Sequence, residues 1–150
     1  MSRPRGDARA AVDSGIAEAR PPRATPVGSW RVGSARDLTS MRAGLLEALA
    51  AAAPDGGHAL DEHVVLVASE LATNALRHGA PPAHVRLLSG RGALVLEVAD
   101  GDTERVPVLA GRRTAGAGGF GLVIAERVAR DVGWYRASGA KHVWALFPLG

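Results

Sequence analysis

The 150-residue chain contains no cysteine. Disulfides, cysteine-ligated zinc and thiol catalysis are therefore excluded. Aromatic residues are sparse at 4%, and Lys141 is the only lysine among 18 basic residues. No charge of one sign dominates, since 15 acidic residues leave a formal charge of +3. Much of that excess sits in residues 1–25, where five arginines face Asp7, Asp13 and Glu18. The rest is close to neutral and shows no concentrated basic face, so direct nucleic-acid binding is not expected. Long apolar runs are also missing. The longest lies around Gly44 to Ala53 and is broken by Glu47, far below the roughly 20 residues of a membrane span. Residues 1–25 have no apolar segment of the kind that marks a secretory leader. The cytoplasm is the expected location.

What is present reads as one globular domain. Hydrophobic residues make up 47% and charged residues 22%, an ordinary folded composition for a chain long enough to bury one core. Residues 1–26 lack periodicity and read as a disordered tail, with the domain spanning 27–150. A short strand is expected at Ser29–Val32. Ser34 and Asp37 then form a capping-box-like start. Leu38, Met41, Leu45 and Leu49 give one apolar helical stripe that ends at Pro54-Asp55-Gly56-Gly57. A second helix is expected from about Leu60 to His78, with Val64, Val67, Ala68, Leu71 and Ala75 inward. Strands follow at His84–Leu88 and Ala93–Ala99. Residues 101–118 look irregular, and a loop this long in a small domain is usually functional or mobile. A third helix is expected over about Phe120 to Asp131. Strands at Gly133–Ala137 and His142–Phe147, joined by Ser138-Gly139-Ala140-Lys141, close the chain. Adjacent strands with few crossover helices predict an α+β two-layer sandwich, a mostly antiparallel sheet with helices on one face.

Three constellations offer chemistry. Glu70 and Asn74 are four apart on the second helix, so they stack on one side. At 100° per residue they flank the stripe centred on Leu71. They are either a polar helix edge or oxygen donors for Mg²⁺, which usually keeps waters and substrate phosphates as further ligands. Asp100 ends the Ala93–Ala99 strand. Period-two alternation puts it on the covered face with Leu94, Leu96 and Val98. It is either a turn-initiating residue before Gly101 or an acceptor for a ligand amine. Gly116, Gly118, Gly119 and Gly121 surround Phe120 and lead into Leu122 at the third helix. Such a run is either a hinge or a backbone cradle for phosphate at a helix N-terminus. The run is not a dinucleotide fingerprint, because no strand precedes it and residue 141 is lysine rather than an acid. No Walker P-loop is present, the five histidines show no metal spacing, and the three tryptophans fall in expected strands as packing residues.

The order of these signals resembles the GHKL ATPases, the Bergerat fold of gyrase, Hsp90 and histidine kinases. The ten residues Glu70-Leu71-Ala72-Thr73-Asn74-Ala75-Leu76-Arg77-His78-Gly79 are similar to the N box of anti-sigma-factor serine/threonine kinases of actinobacterial type, and the likeness covers roughly Ser29 to Pro148. The resemblance implies that Asn74 coordinates Mg²⁺ bridging the ATP phosphates. Glu70 would be the general base, and Asp100 would accept a hydrogen bond from the adenine amine. Nucleotide would also meet Gly116, Gly118 and Phe120. Gly119, Gly121 and Leu122 would form the G2 turn on the phosphates, with Arg77 and His78 along the ribose or phosphate side. Residues 101–118 would be the ATP lid. The implied reaction is γ-phosphoryl transfer from ATP to Ser/Thr of a STAS-type anti-anti-sigma protein, controlling a sigma factor. A homodimer is admissible. The alternative is a non-catalytic partner-binding module on the same fold. The chain departs from the family pattern at Asp102 and Glu104, where small residues are usual. It departs again at His142, where the last strand usually has Thr or Ser near the adenine. Histidine-kinase chemistry is not expected, since no separate helix pair carries a phosphoacceptor histidine.

Overall fold

A computed structural model describes residues 16–78, 80–105 and 120–149, with the side chains of 120–123 left aside. The elements in order are β1 (Ala17–Glu18), β2 (Thr25–Val32), α1 (Ala35–Ala52), α2 (Gly57–His78), β3 (Ala83–Gly90), β4 (Ala93–Asp100), α3 (Phe120–Val128), β5 (Asp131–Ala137) and β6 (Ala140–Pro148). Six strands form one sheet in the order β1-β5-β6-β4-β3-β2. Every pairing is antiparallel except β1 with β5, which is parallel. The sheet is thus mixed, in an α+β sandwich of the expected class.

Local chemistry accounts for the helix boundaries. Ser34 caps α1, its Oγ accepting from Asp37 N at 3.3 Å. Asp37 Oδ2 in turn accepts from Gly33 N at 2.8 Å, so orphan donors on both sides of the start are satisfied. The stripe Leu38, Met41, Leu45 and Leu49 is buried as the 3, 4, 4 spacing requires. Helix α2 starts three residues before the expected Leu60, at Gly57, whose φ of +89° suits a residue without Cβ. Val64, Val67, Ala68, Leu71 and Ala75 are buried along it. Helices α1, α2 and α3 cover one face of the sheet. There α1 lies over β2 and β3, α2 over β3 and β4, and α3 beside α2 over β5.

The opposite face is not left bare. Residues 16–26 were expected within a tail, yet Ile16 is buried and β1 hydrogen-bonds to β5. From that edge the chain must cross the sheet to reach β2 at the other edge, and it does so over the helix-free face. Trp144 Nε1 donates to Ala19 O at 2.7 Å. The Arg20 guanidinium lies 4.6 Å from the Tyr135 ring centroid. Ala24 packs on a second apolar cluster of Leu88, Val95 and Trp144. The segment is held by contacts far away in sequence, which no local period can reveal. Residues 1–15 lie outside the described residues.

Beneath this strap sits Glu97, only 1% exposed. Its Oε1 accepts from Arg86 at 3.0 Å, and its Oε2 accepts from Tyr135 OH at 2.6 Å and from His142 Nδ1. Tyr135 and His142 stack with centroids 4.6 Å apart. Burial alone would raise the Glu97 carboxyl, but hydrogen bonds from His142, Tyr135 and Arg86 overcome it and hold the group at about 2.

Candidate functional site

Helix α2 and strand β4 end at the same edge of the molecule. Gly101 N donates to Ala80 O at 3.1 Å, and Arg105 Nη1 donates to His78 O at 3.4 Å. The final turn of α2, with Arg77 and His78, therefore adjoins the turn that follows Asp100, and Asn74 and Glu70 lie about one and two turns back along the same helix. Glu70 and Asn74 are both half-buried, as expected of residues flanking the core stripe. Arg77 and His78 are exposed in the final turn, where cationic side chains suit the negative end of the helix dipole. Helix α3 packs along α2, and its Phe120, Gly121 and Leu122 form its first turn. Gly116, Gly118 and Gly119 lie outside the described residues, as does all of 106–119.

Asp100 closes β4 on the helix-covered face, the parity that Leu94, Leu96 and Val98 share. Its carboxylate is not simply a turn starter. Oδ1 accepts from Asp102 N at 2.7 Å and lies 3.9 Å from Lys141 Nζ. Burial pushes the Asp100 carboxyl above the ordinary value, and the nearby Asp102 charge adds to this. The Asp102 N–H bond and the Lys141 ammonium pull the other way.

The turn itself is tied down from several sides. Asp102 Oδ1 accepts from Glu104 N at 3.3 Å and Arg105 N at 3.4 Å. Arg136 Nε donates to Thr103 O at 2.5 Å, and its Nη1 lies 3.8 Å from Glu18. Asp102 therefore acts as an Asx-type organiser of its own loop. Among the described residues no three His, Asp or Glu side chains come together in a way that would hold a metal ion by protein ligands alone.

A family model described as the histidine kinase-like ATPase domain matches residues 34–147. The chain belongs to that family. The crystal structure of the RsbU and RsbW domains of Rv1364c from Mycobacterium tuberculosis is similar in fold, with a TM-score of 0.57 and 21% identity. That match covers 81% of this chain and 32% of the other, so this chain spans about a third of its length. A search of curated proteins finds no match. Among the described residues no helix is long and apolar enough to cross a membrane.

Within this histidine kinase-like ATPase fold, two expectations from the sequence change. His142 does not face the helix-covered side on which Asp100 lies. It pairs across from Ala99, so period two sends its ring to the helix-free face, onto Glu97 and Tyr135. Its neighbour Lys141 takes the helix-side position beside Asp100. The composition of Ser138-Gly139-Ala140-Lys141 predicts a four-residue hairpin turn that includes Lys141. In the structure that turn is only Ser138-Gly139, with φ of 54° and 74°, the two-residue type that joins twisted strands. A Ser-Gly pair flanked by alternating residues was the available signal, and it puts Ala140 and Lys141 on the strand.

Proposed function

We propose that this chain binds ATP with Mg²⁺ and transfers the γ-phosphoryl group to Ser or Thr of a STAS-type anti-anti-sigma partner, so controlling the availability of a sigma factor. The observation that carries the reading is a helix with Glu70 and Asn74 one turn apart and half-buried, whose end is bonded to the turn that follows the strand-end Asp100. Membership of the histidine kinase-like ATPase family and likeness to a structure that contains an RsbW domain support it.

Asn74 supplies one neutral oxygen for Mg²⁺, and the ion would take its remaining ligands from phosphate oxygens and water, as that hard cation commonly does. When bound, the ion neutralises phosphate charge. Asp100 accepts from the adenine amine and fixes the base. The backbone N–H groups at the start of α3 face the phosphates, preceded by the glycine-rich run with Gly116, Gly118 and Gly119. Arg77 brings positive charge, and His78 an imidazole, to the end of α2. Glu70 orients the partner hydroxyl and takes its proton as the oxygen attacks the γ-phosphorus. The bond from that phosphorus to the bridging oxygen breaks, and ADP leaves. Such transfer needs mainly positioning and charge neutralisation. The departures from the family pattern at Asp102 and His142 are the features that would favour the non-catalytic alternative. Asp102 is occupied in its own turn and His142 lies on the other face, so neither favours it.

The test is transfer of labelled γ-phosphate to purified STAS proteins. Glu70→Ala is expected to keep ATP binding and lose transfer by at least about 100-fold, within the usual contribution of a general base. Transfer at the parent rate in that variant would remove Glu70 from the role. Partner binding without any transfer by the parent would favour the non-catalytic module.

A further inference from the structure

Asp100 and Lys141 are direct cross-strand partners, at the end of β4 and the start of β6. Both side chains keep only 11% of their exposure, and Nζ stands 3.9 Å from Oδ1. This is the one lysine of the chain, and its ammonium meets a carboxylate at the edge of the core. Among the described residues, the charged groups on the elements around Asp100 include Glu70, Arg77 and His78 on α2, Asp102 and Arg105 in the turn, and Arg136 on β5. Arg136 continues the same cross-strand row from β5, but its guanidinium goes to Thr103 O and Glu18. Asp102 lies in the same turn, with Arg105 paired to it at 3.7 Å. From α2 come Arg77 and His78, both exposed at the helix end.

The protonation of such a carboxyl decides which base it can read. An ionised carboxylate only accepts hydrogen bonds, whereas the protonated acid also donates one. A 6-amino purine presents a donor at that edge, and a 6-oxo purine presents an acceptor. Burial and the Asp102 charge both favour protonation, and they are opposed first by the Asp102 N–H bond and then by the Lys141 ammonium, the one opposing side chain.

We propose that Lys141 is a positioning residue that sets the base selectivity of this site, holding Asp100 as a pure acceptor so that a 6-amino purine nucleotide is taken and a 6-oxo one refused. The inference rests on the nucleotide reading above and adds to it the residue that makes the choice. Lys141 acts through Asp100.

The experiment compares the parent with Lys141→Met, Lys141→Gln and Lys141→Arg. ATP and inosine triphosphate are titrated calorimetrically with Mg²⁺ from pH 5 to pH 8, and the Asp100 carboxyl is titrated by NMR without nucleotide. The parent is expected to prefer ATP at least tenfold with little pH dependence. In Lys141→Met and Lys141→Gln the ATP affinity falls at least threefold between pH 8 and pH 5, the preference over inosine triphosphate shrinks at least fivefold at the acid end, and the Asp100 midpoint rises. Lys141→Arg restores the parent profile. Neutral variants with the parent's pH profile and preference overturn the proposal. If the parent binds neither nucleotide at millimolar concentration, the nucleotide reading falls and the selectivity role with it. The carboxyl titration still reports the pairing on its own, and an unmoved Asp100 midpoint refutes that separately.

Discussion

Replacing Glu97 by glutamine removes a charge that three donors converge on, without changing the size of the side chain. The carboxyl drops from 4.5 to about 2 in the folded protein. At 1.36 kcal/mol per pH unit, that difference corresponds to about 3 kcal/mol of stability at neutral pH. The figure agrees with the roughly 3–5 kcal/mol lost when one partner of a buried pair is removed. For a domain of this length it means a fall in Tm of about 6–12 °C. The sign with pH follows from linkage. Because the folded value is the lower one, the contribution is complete above about 4.5 and is lost as pH falls toward 2. Urea unfolding of parent and Glu97→Gln at pH 7, 5, 4 and 3 is the assay. The gap is expected to be about 3 kcal/mol at pH 7 and to narrow steadily below pH 4.5. Tyr135, raised to about 12 by burial and by its bond to Glu97, should ionise earlier in the variant when followed by phenolate absorbance. A gap below about 1 kcal/mol at pH 7, or one that stays constant down to pH 3, would refute the argument.

Two structural predictions accompany it. Gly133 lies across from Trp144, and a Cβ there would run into the indole ring. Gly133→Val should cost about 1–3 kcal/mol through overpacking, measured by denaturant midpoint, and an unchanged midpoint would mean that the indole moves freely. Removing residues 1–24 takes Ile16 from the core, β1 from β5, the Ala19 carbonyl from Trp144 Nε1 and the Ala24 methyl from the Leu88–Val95 patch. Stability should fall by at least about 2 kcal/mol, with a red shift in tryptophan emission. A truncated chain with parent stability and emission would show that the strap contributes nothing to the fold.

The parts of the molecule that were legible in the sequence are those governed by local periods. The Leu38–Leu49 stripe, the buried side of α2 and the alternation in β4 each depend on neighbours within about a turn. Alternation alone put Asp100 on the covered face, and helix geometry alone put Glu70 and Asn74 together. What escaped depends on pairing between distant strands. The Glu97 cluster draws donors from β3, β5 and β6, and its residues look like ordinary outward positions when each strand is read by itself. Lys141 escaped for a smaller reason. Assigning two extra residues to the hairpin turn removed it from the strand, and the expectation for His142 rested on the family pattern of the last strand rather than on its register. The strap at 16–24 has no period and only the two-residue strand β1, so composition made it look like a tail.

The central claim is that Asp100 and Asn74 belong to one nucleotide site, and calorimetric titration with ATP and ADP, with and without Mg²⁺, tests it most directly. The parent should bind with an affinity that Mg²⁺ strengthens. Asp100→Ala should lose binding by at least about 10-fold, the scale expected when a hydrogen bond to a charged group worth roughly 1.5–3 kcal/mol is deleted. Asn74→Ala should keep some binding but lose the Mg²⁺ effect. No binding by the parent at millimolar nucleotide, or full binding in Asp100→Ala, would contradict the account.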